Sequence, residues 1–301
     1  MRETGTFFLY LFACLVLGAL LTYPLLQTGW IPHDPHRVMG RVAQVFILLG
    51  LWPFLKAMRL NDRQALGYAA SRPRFLNALW RGWLLGVALL SVLTLTLLLL
   101  EIRLPASAAD GWLFGLVEMS IQALIGGLLI GLLEETFFRG ALYSAARRSG
   151  GVSSAILWSS ALFTLVHFMK PHALPAGEAF DWLGVWQLFV RVFTDAFQWR
   201  HLDSMAALFL AGVLLGLVRE RSGHIGWCIG LHAGWVFVIR MTRRLTDVHP
   251  SPDAPLVWLV GDYDGVIGWL AAGWIGLLAL GLRLFTRKRG HERPGLNRDQ
   301  S

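Results

Sequence analysis

Glu134-Glu135-Thr136-Phe137-Phe138-Arg139 closes a long apolar stretch, so two carboxylates and a guanidinium stand where a membrane-spanning helix tolerates little charge. A charge near the bilayer centre costs roughly 2.5–3.5 kcal/mol on insertion scales, and such residues face protein interior or a water-filled cavity and mark a functional site. Two further ionisable groups, His167 and His232, recur inside later apolar stretches. Positions four apart share a helix face, so Glu135 and Arg139 are expected to form an internal ion pair, each charge being costly alone in a low dielectric. Glu134 then points about 100° away from that face. It is left without an evident cation, which suits it to general-base work on water.

The elements that must position these groups are membrane helices. Hydrophobic residues make up 55% of the chain, charged residues only 15%, and mean hydropathy is +0.53. Apolar runs long enough to cross a ~30 Å hydrocarbon core fall at eight places: residues 6–26, 38–58, 83–100, 112–133 (continuing through the motif), 151–168, 203–218, 223–239 and 265–285. The predicted fold class is all-α, a polytopic transmembrane bundle of about eight helices forming a single domain over residues 1–301. Tryptophans such as Trp30, Trp80, Trp83, Trp112 and Trp258 fall near the predicted ends as an interfacial belt. The first run is too long for a secretory signal and lacks a small-residue cleavage site, so it reads as a retained helix. Residues 181–200 do not fit a span. Trp182, Trp186, Phe189, Phe193 and Phe197 recur at steps of three and four, as in an amphipathic helix lying in the interface.

The formal net charge of +8 does not imply a nucleic-acid partner, because the basic residues are spread over loops rather than gathered with aromatics. They report orientation instead: the loops holding Lys56 to Arg81, Arg147 and Arg148, Arg219 and Arg221, and the basic tail lie on one side, which favours both termini in the cytoplasm. The expected location is a bacterial inner (plasma) membrane, with the 286–301 tail as a mobile cytoplasmic end. Cys14 and Cys228 both lie within predicted spans and read as small buried hydrophobes, leaving no disulfide framework.

Depth tests whether the ionisable groups can meet. The turn between spans four and five falls near Arg148-Ser149-Gly150-Gly151, and Glu134 and His167 each lie about 20–25 Å from it at 1.5 Å per residue. Phe163 sits one turn before His167 on the same face, and His232 is also near mid-membrane. With these residues in place, the chain resembles a known family. Glu134-Glu135-x-x-x-Arg139-Gly140, Phe163-x-x-x-His167 and Leu231-His232-Ala233-Gly234-Trp235 resemble the three-part signature of the CAAX protease and bacteriocin-processing (Abi) family of intramembrane endopeptidases, whose eukaryotic members trim prenylated CAAX proteins. The resemblance covers about residues 118–240. It implies an eight-helix endopeptidase in which Glu134 and His167 activate water and His232 helps to stabilise the oxyanion, with Glu135, Arg139 and Phe163 in support. The family usually carries Asn four residues after the last His, whereas this chain has Val236. That departure removes one side-chain donor, a loss that costs about 10²–10³ in rate unless another group replaces it.

Other membrane-protease chemistries lack their residues. No His-Glu-x-x-His occurs, Gly151-Val152-Ser153-Ser154 lacks the closing Gly of a serine-nucleophile motif, and Gly261-Asp262-Tyr263-Asp264-Gly265 reads as a polar turn. The remaining histidines, His33, His36, His172, His201, His224, His249 and His291, fall in or beside loops and are expected at the solvated surface. The expected reaction is therefore hydrolysis of a peptide bond in a membrane-associated protein or peptide, without a cofactor. Two alternatives stay open. Glu134, His167 and His232 are also a recognised zinc-ligand set, and a non-proteolytic scaffold, immunity factor or transporter-like binder could hold the same buried cluster.

Overall fold

The computed structural model describes residues 2–106, 112–174, 180–251 and 254–291, with side chains from 115 in the fourth helix and to 285 in the last. Residues 292–301 of the expected tail lie outside the described residues. The architecture is all-α, a polytopic bundle: α1 (Arg2–Gln27), α2 (Pro35–Ala57), α3 (Arg72–Leu99), α4 (Trp112–Glu135), α5 (Tyr143–Phe168), α6 (Trp182–Thr194), α7 (Leu202–Ser222), α8 (Gly226–Leu245) and α9 (Trp269–His291). Among the described residues, five stretches are long and apolar enough to cross a membrane: α1, α2, α3, the run 115–168 and the run 199–222. α8 falls short of that measure because it carries His232, Arg240, Arg243 and Arg244.

Local chemistry sets the ends. α2 and α3 begin with a proline in the first turn, where a missing N–H costs nothing. α7 ends on Gly223 in the left-handed conformation, with its N–H on the Arg219 carbonyl. The expected turn near 148–151 is present: the chain stays helical through Arg147 and Arg148 and breaks at Gly151 (φ 75°, ψ −174°), so α5 is two helices meeting at that kink. Between α4 and α5, residues Thr136–Leu142 form a π segment, a wider turn with i→i+5 bonding.

Small residues bring the helices together. Gly82 and Gly86 of α3, Gly127 and Gly131 of α4, Gly212 and Gly216 of α7 and Gly230 and Gly234 of α8 are four pairs spaced four apart. A methyl on Gly86 would stand 2.6 Å from the Leu231 carbonyl oxygen, one on Gly234 2.6 Å from that of Trp83, and one on Gly127 2.9 Å from that of Ala233. α8 is thus clamped backbone to backbone between α3 and α4. This close approach is how membrane helices associate when lipid offers no hydrophobic driving force. Gly212 and Gly216 similarly admit Ser160 and Ile156 of α5.

Outside the bundle, β1 (Arg103–Pro105) pairs antiparallel with β2 (Thr246–Val248), joining the ends of α3 and α8. Buried Arg103 locks this ribbon by donating to Thr246 Oγ1 at 2.6 Å and to the Gly265 carbonyl at 2.5 Å. α6 departs from the sequence expectation. It ends at Thr194 rather than near 200, and it packs on α1 through Val185, Leu188 and Val192, whereas Trp182, Trp186 and Phe197 are exposed. Apolar residues cover both faces: Phe189 and Phe193 of the aromatic stripe join the aliphatic residues in packing, against Phe12 of α1, and the tryptophans face outward. His224 also differs from expectation. It is buried in the α7–α8 connection, beside Phe75, with Nδ1 accepting the Gly226 N–H at 3.2 Å.

Candidate active site

Three elements meet at the Glu134-Glu135 pair: the end of α4 with the π segment, the C-terminal end of α5, and the first half of α8. The two glutamates occupy different environments. Glu135 has a side chain 0% exposed and accepts from Arg139 Nη1 at 3.1 Å and from His232 Nδ1 at 2.8 Å, both on Oε1. Glu134 keeps 30% of its side chain exposed. The i,i+4 pairing expected of Glu135 and Arg139 is present, and its attachment to His232 adds a third charged or chargeable group from another helix.

Arg139 is fully buried. Its guanidinium lies over the Phe163 ring with Cζ 4.3 Å from the centroid, a cation–π contact that shields it from lipid. Phe163 also packs on His167 (centroids 4.3 Å) and on His232 (6.0 Å). One aromatic ring therefore touches the ion pair and both imidazoles, and Phe138 closes edge-on against it.

Both imidazoles turn the same nitrogen to Glu134. His167 Nδ1 is 2.7 Å from the Phe163 carbonyl, which can only accept, so the Nδ1 proton is committed there and Nε2 faces Glu134 Oε2 at 3.6 Å. His232 Nδ1 is committed to Glu135, and its Nε2 lies 3.9 Å from the same Glu134 oxygen. That oxygen is buried and accepts no hydrogen bond from the described residues. Among the described residues, no set of three His, Cys, Asp or Glu side chains is arranged to hold a metal ion.

A cavity of about 540 Å³ opens in front of Glu134 and His167, walled by α1, α2 and the π segment. Its lining is mostly apolar, including Phe12, Ile47, Leu51 and Phe138, with Gln44 and Lys170 as the other polar groups. His232, Glu135, Arg139 and Phe163 stand behind this wall rather than in it. Sequence reading missed Gln44 and Lys170. Gln44 stands with Arg41 as a polar residue in the apolar run 38–58, and Lys170 follows His167 by three positions; both signals are visible but weak. Val236 is half-buried and does not line the cavity.

The described residues thus form a membrane helix bundle with a carboxylate and an imidazole at the wall of an apolar cavity. Residues 116–238 match the family model described as type II CAAX prenyl endopeptidase Rce1-like, which supports the family resemblance read from the sequence over that part of the chain. The match begins on α4 and ends on α8, so it spans the elements that carry Glu134, Glu135, His167 and His232 but not α1 and α2, which wall the cavity. No curated protein and no solved structure is a match.

Proposed function

We propose that the chain hydrolyses a peptide bond in a membrane-associated substrate, with water activated by Glu134 and His167 and no metal required. The observation that carries this is Glu134 Oε2, a buried carboxylate oxygen without a donor among the described residues, flanked by two imidazole nitrogens at the wall of an apolar cavity. Water bound there would give its proton to Glu134 while His167 Nε2 orients it for attack on the carbonyl. The cavity suits an apolar or lipid-modified segment, such as a prenylated CAAX terminus, beside the scissile bond. His232 is assigned to the developing oxyanion. Because its Nδ1 proton is given to Glu135, Nε2 donates there only as imidazolium. Two carboxylates set against one guanidinium leave a surplus negative charge that such a cation would offset. The basic loops and tail orient both termini to the cytoplasm.

Zinc is the second reading, favoured by one observation. Both Nδ1 atoms are held by a carboxylate or a carbonyl while both Nε2 atoms face one glutamate oxygen, the outer-shell pattern of zinc-binding histidines. In that case Glu134, His167 and His232 would hold the ion, which would supply a Lewis acid.

The decisive experiment compares membrane N-terminal proteomes from cells carrying wild-type, Glu134→Ala or Glu135→Ala protein. New N-termini that vanish with Glu134→Ala in a folded protein support the proposal and identify the substrate. Their persistence sinks it in favour of a non-proteolytic binder.

A further inference from the structure

A second recess lies at the far end of α8 from the site, between α8 and the first half of α4. It has a volume of about 370 Å³ and is lined by Met119, Gln122 and Ala123 of α4 and by Arg240, Arg243 and Arg244 of α8. The three arginines stand at i, i+3 and i+4 on one helix face, so they converge on this recess. None forms an ion pair within 4 Å with a described carboxylate, and the nearby Glu118 is turned to Gln122 Nε2 at 2.9 Å.

The recess is shaped to admit these groups. Gly126 faces Arg240, where a methyl would stand 2.8 Å from Nη1, so a side chain there would displace the guanidinium. Arg240 Nη1 reaches the Gln122 carbonyl at 3.5 Å, and Arg244 Nη2 lies over Gly115. Beyond the recess, on the side of α4 that carries Gln122, run the exposed residues Ile125, Leu129 and Leu133. In a membrane protein that stripe meets acyl chains. The guanidiniums lie level with Gly115 to Gly126, at the head of this stripe.

A concentrated cation cluster at the head of a lipid-facing apolar stripe has the form of an amphiphile site. We infer that Arg240, Arg243 and Arg244 bind the phosphate of an anionic phospholipid whose chains lie along Ile125, Leu129 and Leu133. Planar guanidiniums match phosphate oxygens in pairs, and basic pockets between membrane helices take anionic headgroups. This inference is independent of the catalytic reading, because it invokes none of the active-site groups.

The test uses full-length protein in detergent micelles, reading thermal stability against added phosphatidylglycerol, phosphatidylcholine of the same chains, or inorganic phosphate. Phosphatidylglycerol is expected to stabilise the protein more than the other two. Arg243→Gln combined with Arg244→Gln is expected to weaken its apparent affinity by about tenfold or more, at roughly fivefold per guanidinium. Equal stabilisation by phosphatidylcholine, a full effect from inorganic phosphate, or an unchanged response in the variant overturns the assignment. Should the variant fail to fold, phenylglyoxal labelling of the wild type decides. Phosphatidylglycerol must shield Arg240, Arg243 and Arg244 while Arg147 stays reactive, and equal labelling with and without lipid overturns it.

Discussion

His232 on α8 and Glu135 at the end of α4 are joined by a 2.8 Å contact between Nδ1 and Oε1, on the same oxygen that holds Arg139. Two helices are thereby fastened through a carboxylate that never reaches the cavity. The adjacent Glu134 is left to face it. On the proposed reading this difference between neighbours separates folding from chemistry, and the two can be told apart by substitution.

Replacing Glu135 by Gln strands Arg139 as an uncompensated buried cation. Loss of one partner of a buried pair costs about 3–5 kcal/mol, so Glu135→Gln should lower the unfolding midpoint sharply in detergent. Glu134→Gln should leave that midpoint within about 0.5 kcal/mol of wild type while cutting turnover by about 10²–10⁴. Equal destabilisation by both substitutions would show that the two glutamates share one structural role.

The α3–α8–α4 clamp predicts sensitivity to a single methyl. Gly234→Ala places its Cβ against the Trp83 carbonyl, which is backbone and cannot swing aside. A cost of about 1–3 kcal/mol is expected, together with reduced activity, because α8 carries His232. Gly273→Ala on α9 meets nothing within 4 Å and serves as the control. Thermal melts of the two variants, measured side by side, check this.

Gly40 lines the cavity, and the atom nearest to an added Cβ there is Pro171 Cδ at 3.9 Å. Gly40→Leu should therefore fill cavity space without strain and gain up to about 1 kcal/mol of helix propensity. Turnover of a bulky lipid-modified peptide is expected to suffer through KM, with kcat much less affected. A change confined to kcat would mean that the substrate's apolar part binds elsewhere.

Metal dependence separates the two mechanisms. Proteolysis by purified protein should persist in strong chelator, and metal analysis should find far less than one zinc per chain. Activity lost to chelator and restored by zinc would transfer Glu134, His167 and His232 to a ligand role.

The membrane helices were legible in sequence because hydrophobic length alone fixes them, and the Glu135–Arg139 pair because helical periodicity places i and i+4 together. The partnership of His232 with Glu135 was not, since it depends on how α8 rotates against α4. That rotation is set by glycine pairs whose spacing is plain in the row of letters, although which backbones they admit is not. The side of α6 that packs was not legible for a related reason: with apolar residues on both faces, composition could not say which would meet α1. Nor did residues 136–142 announce a π segment, because i→i+5 bonding has no strong residue preference.

That wider turn carries one residue more than an ordinary helix would need. Deleting Phe137 or Phe138 would let the ladder close in its regular form with the flanking turns near their present rotation, but it would bring Glu135 and Arg139 to a spacing of three and take the buried guanidinium off the line it now holds. The surplus residue is therefore a spacer, setting the interval between two charges that have no water to settle for instead.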